Sequence, residues 1–63
     1  MFIIKIFNWS SMKTENKRFS TKEDADAFYE NRKNSFPLAC EPREKWFTYI
    51  NSWGNKTHVQ KMY

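Results

Sequence analysis

The 63-residue chain predicts an α+β domain, one helix packed on a small antiparallel sheet in the order ββαββ, or βαββ if the second strand fails. Three stretches predict it. FIIKIFNW at residues 2–9 is β-branched and aromatic over a strand-like length. Ser20-Thr21-Lys22-Glu23 is a helix-start signal. KWFTYINSW at 45–53, then Gly54 and a polar-apolar return to Tyr63, reads as a hairpin. A chain this short makes one domain, residues 1–63, and buries roughly 60% of the surface its unfolded form exposes.

Each element follows from local chemistry. In the first strand Phe2, Ile4 and Ile6 share one side, and Ile3, Lys5, Phe7 and Trp9 share the other. Ser10 to Asn16 is polar and turn-like, and Lys17–Phe19 is a short candidate second strand. The helix is expected over residues 21–33, capped by Ser20 with Glu23 or by Thr21 with Asp24. Acids crowd its first turns, and Arg32 and Lys33 lie near its end, which suits the helix dipole. Ala25, Phe28 and Tyr29 or Arg32 form a single narrow stripe, so the helix should lie on something flat. Pro37 and Pro42 bracket a loop. Gly54, the only glycine, stands where a tight turn needs positive φ.

One helix covers one sheet face. The covered face is expected to take Phe2, Ile4 and Ile6 with Ala25 and Phe28, leaving Ile3, Lys5, Phe7 and Trp9 on the other. The 45–53 strand offers aromatics on both sides: Trp46 and Ile50 on one, Phe47, Tyr49 and Trp53 on the other. Whichever set turns outward, aromatic surface stays exposed, and such surface marks binding or self-association. The alternative for all twelve rings is core, because a minimal domain has little else to fill it.

Charge sharpens this reading. Residues 21–34 hold three basic and four acidic side chains, and the rest of the chain holds eight and three. Positive charge interleaved with aromatics on an open sheet is the chemistry of single-stranded nucleic-acid binding. The residues expected to contact RNA or a partner are Lys5, Trp9, Arg43, Lys45, Tyr49, Trp53 and Lys56. A protein partner could grip the same surface through Trp and Arg anchors. The strand ending at Tyr63 offers an edge for pairing with a partner sheet.

Catalysis is not expected. Cys40 with His58 would be a lone dyad, and Glu41 and Glu44 around Arg43 are too loosely spaced to specify acid–base work. One cysteine and one histidine exclude a disulfide and the usual Cys/His zinc sites within one chain, and no cofactor motif is present. MFIIKIF is too short to span a membrane and carries Lys5 in its middle, so a cytoplasmic location is expected.

Thirty residues are Phe, Tyr, Met, Ile, Asn or Lys, whose codons are AT-rich, against nine Gly, Ala, Arg or Pro. With a short reading frame opening at Met1, this composition resembles the accessory proteins of T-even-type bacteriophages. That class includes host-takeover and counter-defence proteins, among them inhibitors of host ribonuclease toxins. The resemblance lies in composition and length, no motif carries it, and no site residue follows from it. It implies a non-enzymatic RNA-binding inhibitor or antitoxin acting on a host nuclease or toxin in the host cytoplasm. The alternative is a direct protein inhibitor with no nucleic-acid ligand.

Overall fold

The computed structural model describes Met1 to Tyr63 and contains β1 (Phe2–Asn8), β2 (Lys13–Phe19), α1 (Lys22–Ser35), β3 (Trp46–Ile50) and β4 (Lys56–Lys61). All strand pairs are antiparallel, in the order β2-β1-β4-β3. The helix packs on one side of this four-stranded sheet, as the sequence predicts.

The β1–β2 hairpin is tied by Asn8. Its Oδ1 accepts from the amides of Ser10 (2.9 Å) and Ser11 (3.3 Å), and its carbonyl accepts from Met12 (2.8 Å). Met12 closes the turn at φ 59, a left-handed conformation in which a non-glycine side chain is strained. β2 begins at Lys13, four residues earlier than the sequence suggests. KTENKRF shows no alternation because only Phe19 is even half-buried; this strand forms by pairing with β1, not by burying a face of its own.

Thr21 caps α1, its Oγ1 accepting from the Asp24 amide at 3.2 Å, so the second of the two candidate caps is the one used. The helix runs two residues past Lys33 and stops as Phe36 turns extended ahead of Pro37. Its stripe buries Ala25 and Tyr29 completely, with Phe28 packed beside them. The β3–β4 turn spans residues 51–55. Asn51 Oδ1 accepts from Trp53 and Asn55, and Gly54 sits at φ 81.

Ile4, Ala25, Tyr29, Phe47, Tyr49 and Val59 form the core, flanked by Phe2, Ile6, Phe19, Phe28, Phe36, Leu38 and Tyr63. Ile4, Phe47 and Val59 are wholly buried, which contributes about 1.5–3 kcal/mol each. β3 therefore turns Phe47 and Tyr49 to the helix and Trp46, Thr48 and Ile50 away from it. The ring of Tyr29 meets that of Phe47 edge-on (4.9 Å), and Phe36 stacks on Tyr49 (4.8 Å).

The sheet edges differ. Along β3, Trp46 and Thr48 accept at 2.8 Å from the amides of Arg43 and Ala39, and the Ile50 amide donates to Pro37 at 2.9 Å, so the 37–43 loop seals that edge. β2 is open. The expectation that the strand ending at Tyr63 offers a pairing edge is overturned: β4 lies between β1 and β3, with both sides bonded.

Candidate nucleic-acid interface

No helix or further strand lies over the face opposite α1, although Thr48 at its β3 end is buried, 9% exposed, beside Ala39 and Cys40 of the 37–43 loop. Strand parity assigns the side chains. β2 contributes Thr14, Asn16 and Arg18; β1 contributes Ile3, Lys5 and Phe7; β4 contributes Lys56, His58 and Gln60; β3 contributes Trp46, Thr48 and Ile50. The register places Asn16, Lys5, Gln60 and Trp46 in one row and Thr14, Phe7, His58 and Thr48 in the next. None of these positions holds a carboxylate; Glu15, the one acid in the strands, faces the helix side with Ile6. The other acids lie on α1 or in the 37–45 segment.

Rings occupy the middle and one end of this face. Trp46 packs on His58 at 5.0 Å with 37° between planes, and Phe7 meets Trp9 edge-on at 4.9 Å. Trp9 is 53% exposed and lines a recess of about 390 Å³ with Ala39, Cys40, Thr48 and Lys56. His58 Nδ1 lies 3.3 Å from Thr48 Oγ1. Desolvation first, and the charge of Lys5 second, push the imidazole below its usual pKa of 6.5, so the ring is neutral at pH 7. A neutral ring beside Trp46 offers a flat, weakly polar platform; the flanking ammonium groups supply charge.

The seven residues expected from the sequence do not come together. Lys5, Trp9 and Lys56 lie on the open face. Arg43 is bonded through its backbone to Trp46 at the margin of that face. Trp53, 86% exposed, stands at the tip of the 51–55 turn. Lys45 turns to the other side, into a recess with Lys22, Glu44, Lys61 and Tyr63. Tyr49 is a correction. It is 7% exposed, held between Phe36 and Phe47, because β3 parity commits it to the core. The sequence set omits Phe7, Arg18, Trp46, His58 and Gln60, which the face does contain. Period-two parity from Lys5 points to Phe7; Arg18 and His58 appear only once register is known.

No group of three or more His, Cys, Asp or Glu side chains is placed to hold a metal ion. No helix is long and apolar enough to cross a membrane. No family model, curated protein or solved structure matches the chain.

Proposed function

We propose that this protein binds single-stranded RNA on its open sheet face and acts without catalysis, interfering with a host nuclease or toxin as a phage-type counter-defence factor. The observation that carries the reading is the composition of one face: Trp46, His58, Phe7 and Trp9 with Lys5, Arg18 and Lys56, and no carboxylate among its strand positions. Rings give stacking platforms worth about 1–3 kcal/mol per base, and cations beside them follow the phosphates. The link to a host nuclease rests on the phage-like composition. Binding of labelled RNA oligonucleotides, followed by anisotropy across salt concentrations, tests the first part. The expected slope is about −0.7 in log–log terms per phosphate neutralised. Absence of binding at low salt overturns it.

A second reading is favoured by Trp53. A large apolar ring 86% exposed on the 51–55 turn, outside the strand rows of the open face, suits a protein partner's pocket better than a nucleic-acid strand. In that reading the protein is a direct inhibitor, and its partner stays bound after nuclease digestion.

A further inference from the structure

The open edge of β2 has a defined chemistry. The Ile3 carbonyl accepts from Met62 and the Trp9 amide donates to Lys56, so odd-numbered β1 residues turn their backbone groups to β4. Phe2, Ile4, Ile6 and Asn8 accordingly turn theirs to β2, opposite Phe19, Lys17, Glu15 and Lys13. The amides and carbonyls of Thr14, Asn16 and Arg18 are left pointing outward, and no segment of the chain covers them. At the β3 edge the Trp46 and Thr48 carbonyls and the Ile50 amide are bonded to the 37–43 loop. One edge is closed and the other is ready to accept a strand.

We propose that a second copy of this chain occupies it, the two β2 strands pairing antiparallel about a two-fold axis at Asn16. In that register Thr14 exchanges backbone bonds with Arg18 of the other copy, and Asn16 with its equivalent. Glu15 then stands opposite Lys17 of the other copy, and Lys17 opposite its Glu15, in close non-hydrogen-bonded pairs on the helix side. Shifting by two residues one way sets Glu15 against Glu15 and Lys13 against Lys17. Shifting the other way sets Lys17 against Lys17. Like charges directly opposite are destabilising, so the strand's own charge order disfavours both neighbouring registers and makes a copy of itself a complementary occupant. Centring the axis on Thr14 would also oppose Glu15 to Lys13, but it brings the Met12 turn into the ladder and leaves Arg18 unpaired.

The product is one continuous sheet built from two four-stranded halves, with both helices on one side and both open faces on the other. Two seven-residue edges bury far less than the roughly 1,200–2,000 Å² of stable interfaces, and a charge of +4 on each copy opposes approach. The dimer is weak and forms with rising concentration.

Sedimentation equilibrium over a wide concentration range tests this. The weight-average mass should climb from 7.7 kDa towards twice that value. Glu15→Lys and Lys17→Glu should each shift the midpoint to at least several-fold higher concentration, and the double exchange E15K/K17E should restore it. Asn16→Pro should abolish association while circular dichroism stays native, because its amide faces away from β1 and an outward edge position tolerates proline. A mass of 7.7 kDa at every concentration overturns the proposal. So does a dimer that survives Asn16→Pro, or one that the charge exchange does not rescue.

Discussion

Tyr63 donates its hydroxyl hydrogen to the Asp26 carboxylate, tying the segment after β4 to the first half of α1. Lys61 Nζ lies 3.2 Å from the same carboxylate and 4.5 Å over the Tyr29 ring. The helix is thus clamped to the sheet by one acid, one phenol and one ammonium beside the apolar core.

That clamp should leave a pH signature. The hydrogen bond from Tyr63, and then Lys61, hold Asp26 below its ordinary 3.8, despite some desolvation. A carboxylate depressed by folding contributes stability that is present above 3.8 and is lost as pH falls through its folded value. Desolvation and the Asp26 carboxylate push the Tyr63 phenol well above 10.0, so its contribution is present below 10.0 and is lost as pH rises beyond. Thermal midpoints by circular dichroism should form a plateau between these limits. Asp26→Asn should flatten the acid limb, and Tyr63→Phe should flatten part of the alkaline one. Tyr29, raised mainly by burial, retains the rest.

Met12→Gly should raise stability by roughly 0.5–1 kcal/mol, since it relieves a left-handed residue at φ 59 at some cost in chain entropy. Gly54→Ala should do the reverse, by about 1 kcal/mol, although a Cβ there meets nothing within 4 Å. Its penalty is torsional only. Urea midpoints at unchanged m-value check both.

Open face and core should separate cleanly on alanine substitution. Trp46→Ala and Lys5→Ala should weaken RNA binding, Trp46→Ala by about 5- to 150-fold for a lost stack, with the domain still folded. Tyr49→Ala should cost stability on the order of 3–5 kcal/mol, most of what a domain this size holds. Loss of fold in Trp46→Ala, with RNA affinity untouched in a folded Lys5→Ala, would count against the open face.

His58 should titrate below 6.5, read from its imidazole resonances by NMR. Lys5→Ala should move it upward by removing the smaller of its two causes. Because the folded value is depressed, this residue's contribution to stability is present above 6.5 and is lost as pH falls through the folded value. Over that same range the open face gains a positive charge, and RNA affinity should rise while the protein stays folded.

Hydrogen exchange in dilute solution should distinguish the two sheet edges. The Ala39, Arg43 and Ile50 amides, bonded across the β3 edge, should be protected. Those of Thr14, Asn16 and Arg18 should exchange quickly.

Much of the fold was legible in local chemistry. The cap at Thr21, the acid-to-base gradient along α1, the aliphatic run of β1 and the lone glycine at a left-handed position each state their structure within a few residues. Those signals depend on nearest neighbours, and neighbours in sequence suffice to set them. β2 was only partly visible, because a strand with every side chain but Phe19 exposed carries no periodic pattern. The side of β3 that faces the helix was beyond the sequence: Trp46 and Ile50 on one side and Phe47 and Tyr49 on the other are equally apolar, and a one-residue slip exchanges them. The tertiary structure decided it by placing β4 between β1 and β3, where burying Val59 beside Ile6 brings Phe47 to the helix side with it. Trp46 then belongs to the open face and Tyr49 to the core, because a strand's alternation is local but the choice of face is made by its neighbours.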